Sequence, residues 1–156
     1  MSSILTSKKV SLKLKGKVYV SWVRNCLDGG ETWPIKATHE SRLERTEMRM
    51  IRRMWGISER KTSKELRARL GIEMIGVVMR RNRLRWFGHL ESMTKDDWVK
   101  RCTFMEVGGS RPRGRPKITW TNVIAAGMRS MNLTNIDAQD RQKWKRKIRG
   151  KTGQPG

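Results

Sequence analysis

Carboxylates are scarce in this chain. Of 156 residues only 14 are Asp or Glu, against 36 Lys and Arg, so the formal net charge is +22 and the pI is near 11.3. A chain with so few acids cannot neutralise itself and calls for a polyanion or a dense counterion cloud. The shortage also removes a class of chemistry. Asp96-Asp97 is the only adjacent acidic pair, Lys95 precedes it, Trp98 follows it, and no apolar strands flank it as a two-metal hairpin would require. It reads as a solvated N-terminus for a helix at Trp98, and the chain is not expected to be an enzyme. Cysteine is equally rare. Cys26 and Cys102 build no disulfide framework, which suits an intracellular setting, and the nucleus is the expected location. With His39 and His89 they make four possible zinc ligands, but none lies in a C-x-x-C or H-x(3–5)-H pair, so no metal or other cofactor is expected. Both cysteines are expected to be small core residues. Long apolar runs are missing too: none approaches the roughly 18 residues needed to span a bilayer, and no secretory leader pattern opens the chain, so a membrane is not an expected partner.

Leu, Ile, Val and Phe make up only about a fifth of the residues, close to where a highly charged chain stops folding. Seven Trp and ten Met raise the apolar content enough for one modest core. The most directed stretch is Arg111 to Lys117, Arg-Pro-Arg-Gly-Arg-Pro-Lys. Two prolines fix φ and disfavour helix, and Gly114 lets the backbone lie close to a surface. Arg111, Arg113, Arg115 and Lys117 then project from a thin ribbon suited to a narrow electronegative trough, such as the minor groove of A·T-rich DNA. Its core Pro-Arg-Gly-Arg-Pro matches the AT-hook motif. The plainer reading is a basic linker that touches phosphates without reading sequence.

Elsewhere the periodicity is helical and no alternating strands are evident. Val18, Tyr19, Val20, Trp22, Val23 and Leu27 form a dense apolar segment, read as a helix ending at Asp28-Gly29-Gly30. From Thr38 to Trp55, Leu43, Met50 or Ile51, and Met54 recur at helical spacing. There Glu40, Glu44 and Glu47 alternate with Arg42, Arg45, Arg49, Arg52 and Arg53, acids early and bases late, as the helix dipole favours. Gly56 ends it. Thr62-Ser63-Lys64-Glu65 has the form of a capping box opening a short helix that stops at Gly71. A longer helix is predicted over 72–93, with Ile75, Met79, Trp86, Leu90 and Met93 on its apolar stripe. Arg80, Arg81, Arg83 and Arg85 crowd its other faces with no acid nearby, which makes them candidate phosphate contacts; the alternative is an ordinary solvated face. Trp98, Cys102 and Met105 suggest a short helix. Trp120, Val123, Ile124, Met128 and Met131 space as another, broken near Asn132. A final basic helix, capped at Thr134 to Asp137, carries Arg141, Trp144 and Ile148.

Six blocks in order resemble the C-terminal region of non-LTR retrotransposon reverse transcriptases. They are Glu31 to Pro34, Glu47 to Met54, Arg81 to His89, Asp97 to Lys100, Arg111 to Lys117, and Asp137 to Arg141 followed by Trp144. The likeness spans roughly residues 18–150, and its most specific marker is Arg-Leu-Arg-Trp-Phe-Gly-His at 83–89. The Asp28-Gly29-Gly30 turn departs from the family pattern, which places an apolar-aromatic pair there. The resemblance implies a thumb and post-thumb segment that holds a template–primer duplex, with the catalytic palm carried upstream of Met1 in the parent protein. It implies nucleic acid as partner, whether DNA, RNA or an RNA–DNA hybrid, and the polymerase domains of the parent element as a further one.

The resulting expectation is an all-α chain with two clusters of short helices joined by an extended basic ribbon. Residues 1–12 would be a disordered basic leader, 13–106 a thumb-like helical region, 107–117 the linker, 118–150 a C-terminal helical pair and 151–156 a disordered tail. Its function would be that of a non-catalytic, nucleic-acid-binding remnant of a retroelement RNA-directed DNA polymerase. The runner-up is a host DNA-binding protein anchored in an A·T-rich minor groove by the ribbon. A third reading gives the Met- and Trp-rich stripes a structural role, docking the polymerase domains.

Overall fold

The computed structural model describes residues 5–27, 30–56, 61–105, 108, 113–114 and 118–149, with Cys26 and Leu27 described in backbone only. Among these residues the structure is all-α and contains no strand. Its helices are α1 (Leu12–Trp22), α2 (Ala37–Trp55), α3 (Ser63–Leu70), α4 (Ile75–Ser92), α5 (Trp98–Phe104), α6 (Trp120–Ser130), α7 (Asn135–Gln139) and α8 (Arg141–Arg149). Two short 3-10 turns, Arg24–Leu27 and Gly30–Thr32, follow α1. The chain divides into two compact units, one of residues 1–30 and 35–79, the other of residues 31–34 and 80–156. The boundary falls inside α4, between Met79 and Arg80, and not at the basic ribbon where composition changes most abruptly.

The first unit is built on Tyr19, Ile51, Met54, Leu66, Leu70 and Ile72, each buried. Burying aliphatic side chains of this size stabilises by about 1.5–3 kcal/mol apiece. Leu5 and Leu12 pack against this cluster, so the described part of the expected leader belongs to the folded unit. Helix α1 crosses α3 closely: a Cβ on Gly16 would collide with the Leu70 carbonyl. Among the described side chains of the dense apolar run only Tyr19 is buried, while Val20 and Trp22 are exposed.

Gly56 (φ +68°) and Gly71 (φ +67°) end α2 and α3 in the left-handed conformation that glycine tolerates best. At the second of these, Gly71 N–H bonds to Ala68 O and Ile72 N–H to Arg67 O, a Schellman closure with Ile72 in the core beside Leu66. That closure explains why α4 begins at Ile75 and not at Ile72. Thr62 caps α3 by accepting from Glu65 N–H, but the Glu65 carboxylate turns to Lys61 and Arg69 and leaves the box half made.

The second unit is built on Leu84, Phe87, Ile124, Met128, Leu133, Ala138, Trp144 and Ile148. Phe87 lies between two indoles, 6.0 Å from the Trp144 ring and 6.5 Å from the Trp120 ring, both tilted as aromatic quadrupoles prefer. Each indole has its polar handle satisfied: Trp144 Nε1 donates to Leu84 O at 2.9 Å and Trp120 Nε1 to Glu31 O at 2.7 Å. The second bond ties residues 31–34 to this unit despite their place in the sequence. Gly88 is small because the Trp144 indole occupies the space where a Cβ would stand. Residues 80–104 and 118–149 therefore share one unit, in contrast to an arrangement divided at residues 107–117.

Two details of this unit differ from the sequence reading. Leu84 and Phe87 occupy the core stripe of α4, whereas Trp86 is only half-buried and lies 5.5 Å from the His89 ring. The predicted final helix is two helices. Asn132 turns the chain at φ +51°, the Asp137 carboxylate accepts from Thr134 N–H to cap α7, and Asp140 Oδ1 accepts from Gln142 and Lys143 N–H to start α8.

Candidate nucleic-acid interface

Among the described residues two carboxylates, Glu47 and Asp137, are buried. In the first unit Glu47, on the core side of α2, is 2% exposed. Arg24 meets its Oε1 at 2.6 Å and Arg67 meets its Oε2 at 3.2 Å, while the Tyr19 hydroxyl lies 3.5 Å from Oε1. Arg24 also reaches the Glu73 carbonyl and sits 5.9 Å from the centre of the Tyr19 ring. Burial, reinforced by the Glu47 charge, pushes the Tyr19 phenol up to about 12. A buried lysine closes the same helix: Lys15 Nζ donates to Met54 O at 2.9 Å, at the C-terminal end of α2 where the helix dipole favours a cation.

In the second unit Asp137 plays the matching part. Its carboxylate takes Lys147 at 2.8 Å, Lys143 at 2.9 Å, and the Thr134 N–H and hydroxyl at 3.0 Å each. Hydrogen bonds from Lys147, then Lys143, hold this carboxyl well below the usual carboxylate range. Asp140 is lowered as well, chiefly by the backbone N–H of Lys143. Asp97 caps α5 through Val99 N–H at 2.9 Å, as expected of a solvated helix start.

With these acids committed, the outward charge is more one-sided than the composition. Arg42, Arg45, Arg49, Arg52 and Arg53 are exposed on α2, and Arg141, Lys145, Arg146 and Arg149 are exposed on α8. Sequence spacing alone marks neither set as a site and reads the α2 arginines as partners of the helix dipole. The signal was present in their phase around the helix, which residue counts do not reveal.

The four arginines predicted on α4 do not form a patch. Arg85 is exposed; Arg80 and Arg81 are half-buried, with Arg80 NH1 3.4 Å from Ser130 Oγ. Arg83 is 4% exposed, on the same side as Leu84, Phe87 and Leu90, and so does not present its guanidinium to a phosphate. At about 100° per residue, Arg83 and Arg85 lie on nearly opposite sides of the helix. In the ribbon, Arg113 and Gly114 are described and exposed, and Gly114 adopts φ +150°, a conformation that residues with a Cβ rarely take. Arg111, Arg115 and Lys117 lie outside the described residues.

The stripe expected on α5 is a further correction. Trp98 is 73% exposed, Met105 and Cys102 are exposed, and no residue of α5 is buried, so Cys102 is not a core residue. The helix is too short and too polar on its other faces to bury them. It is tied down instead by Lys100, which donates to the Glu91 and Met93 carbonyls at the end of α4. The Cys26 side chain lies outside the described set. Among the described residues no three His, Cys, Asp or Glu side chains gather into a metal site, and no helix is long and apolar enough to cross a membrane. Comparison with protein-family models, with curated proteins and with solved structures gives no match to this chain.

Proposed function

We propose that this chain is a non-catalytic, nucleic-acid-binding segment of the kind found at the C-terminus of retroelement RNA-directed DNA polymerases, and that it binds through phosphates. One observation carries the binding half of this reading. Glu47 and Asp137 are each held by two cations, while Arg42, Arg45, Arg49, Arg52 and Arg53 of α2 and Arg141, Lys145, Arg146 and Arg149 of α8 face solvent with no ion pair to a described carboxylate. Such a surface releases counterions from a polyphosphate and gains affinity without reading bases. The retroelement half is supported by the order of six sequence blocks. Four of them contribute side or main chains to the contacts described above: Glu31, Glu47, Phe87 with Gly88, and Asp137 with Trp144.

Competition at one salt concentration among an A·T-tract duplex, a G·C duplex and an RNA–DNA hybrid tests the reading. Phosphate contact predicts affinities within a few-fold of one another. No binding to any of the three at about 0.1 M salt, where a Debye length is about 10 Å, contradicts it. A tenfold preference for the A·T tract that disappears in an Arg113→Lys, Arg115→Lys variant would favour the host minor-groove protein instead, because lysine keeps the charge but lacks the flat guanidinium.

A further inference from the structure

The five exposed arginines of α2 share one face. At about 100° per residue, Arg42, Arg45, Arg49, Arg52 and Arg53 fall within an arc of roughly 100°, and no acidic residue shares that arc. Glu40, Glu44 and Glu47 occupy the opposite side together with the buried Ile51 and Met54. Glu47 is held there by Arg24 and Arg67. Glu40 lies against Gly76 in the first turn of α4, where a helix N-terminus favours an anion. The helix thus separates its charges by side, and among the described residues no carboxylate lies within ion-pair distance of any of the five guanidinium groups.

Self-repulsion among five like charges at i, i+3 and i+4 spacing destabilises a helix. The core side of α2 offsets that cost, and a ligand is what the stripe itself suits. From Arg42 to Arg53 the rise is about 16 Å, long enough to lie along several phosphates of a duplex backbone. The stripe contains no Asn or Gln able to read a base edge, and its flanking side chains are short: Ser41 and Thr46. Guanidinium forks match phosphate oxygens in pairs, so five of them in a row suit a regular phosphate array better than scattered carboxylates.

We propose that this face of α2 is a phosphate rail for one strand of duplex nucleic acid, contributed by the first unit alone and indifferent to sequence. The proposal rests on the nucleic-acid reading above and assigns it a site that the ribbon and the α4 arginines do not include.

The test uses the full chain and a mixed-sequence 20-base-pair duplex across a salt series. The rail variant carries Gln at 42, 45, 49, 52 and 53. A charge-matched control carries Gln at Lys64, Arg69, Lys95, Arg101 and Arg129, all exposed and distributed over both units. Five lost phosphate contacts at about 0.9 each should flatten the slope of log K against log salt by about 4 to 5 in the rail variant, and by about 1 or less in the control. A third variant with Lys at the five rail positions keeps the charges on the same face and should retain most of the slope. Equal flattening in rail variant and control would overturn the rail, since only total charge would then matter, while leaving nucleic-acid binding intact. A wild-type chain that binds no duplex would overturn the underlying reading as well. If poly-glutamate at equal charge concentration displaces the wild type as readily as duplex does, phosphate is not the preferred anion and the rail is overturned. Circular dichroism of each variant checks that α2 is retained, which substitution of exposed arginines by a residue of similar helix propensity should permit.

Discussion

Helices α2 and α4 are both arginine-rich, with five arginines between Arg42 and Arg53 and four between Arg80 and Arg85, yet they use them differently. On α2 the arginines keep one phase, so all five are exposed and the acids face the core. On α4 they follow no period, so Arg83 enters the buried side while Arg85 stands nearly opposite it. Local density therefore misleads where phase informs. The denser cluster loses a member to the interior, and the more dilute one makes a continuous surface.

Removing the acid that anchors α2 should have the largest effect on this contrast. Glu47→Ala leaves the buried Arg24 and the partly buried Arg67 without their counter-charge and is expected to cost about 3–5 kcal/mol in a denaturant or thermal melt. A loss below about 1 kcal/mol would mean that the inward acid does not set the orientation of α2. On α4 the adjacent aromatics divide in the same way. Phe87→Ala should cost about 3–5 kcal/mol, because the ring fills the space between Trp120 and Trp144. Trp86→Ala should cost about 1 kcal/mol or less, since half-exposed aromatic area is all it removes. Reversal of that order would place the α4 core stripe one residue earlier.

The arginine pair on α4 gives a smaller version of the test. Arg83→Ala is expected to destabilise by about 2–3 kcal/mol through lost packing and buried polar contacts. Arg85→Ala should fall within about 0.5 kcal/mol of wild type, as exposed substitutions usually do. If the two were equal, α4 would have a single solvated face and the phase argument would fail.

The units should also differ in their response to pH. Asp137 is depressed in the folded state, so its contribution is present above its ordinary value near 4 and is lost as pH falls toward the folded value. Tyr19 is raised to about 12, so the neutral phenol supports the fold below its ordinary value near 10, and that support is lost as pH rises from 10 toward 12. Amide exchange or residue-resolved NMR should then show acid opening first in α7 and α8 and alkaline opening first around α1 and α2. Asp137→Asn should flatten the first limb and Tyr19→Phe the second. Simultaneous opening of both units at both extremes would show that other groups dominate.

Local signals made much of the fold readable. Gly56 and Gly71, the Thr62 cap, the Asp97 start of α5 and the turn at Asn132 all follow from residue chemistry within four or five positions. Long-range contacts did not. The bond from Trp120 to the Glu31 carbonyl and the space Gly88 leaves for Trp144 join residues tens of positions apart, and no periodicity announces them. They account for two residues of the Trp-Phe-Gly triplet at 86–88, since Phe87 and Gly88 both meet Trp144. The same limit applies to the candidate interface. Which face of an arginine-rich helix turns inward depends on the tertiary partner, Arg24 and Arg67 for α2 and the second-unit core for α4, so counting arginines points to α4, where Arg83 is buried, and passes over α2, where all five are exposed.

The most direct measurement sets those helices against each other on the same ligand. Duplex affinity is followed across a salt series for the wild type, for a chain with Gln at Arg42, Arg45 and Arg49, and for a chain with Gln at Arg80, Arg81 and Arg85. Each variant removes three charges. Binding along a phased stripe predicts that the α2 variant flattens the salt slope by about 2 to 3, from three contacts at about 0.9 each, and that the α4 variant changes it by about 1 or less. An equal loss in the two, or a larger one from α4, would contradict the account.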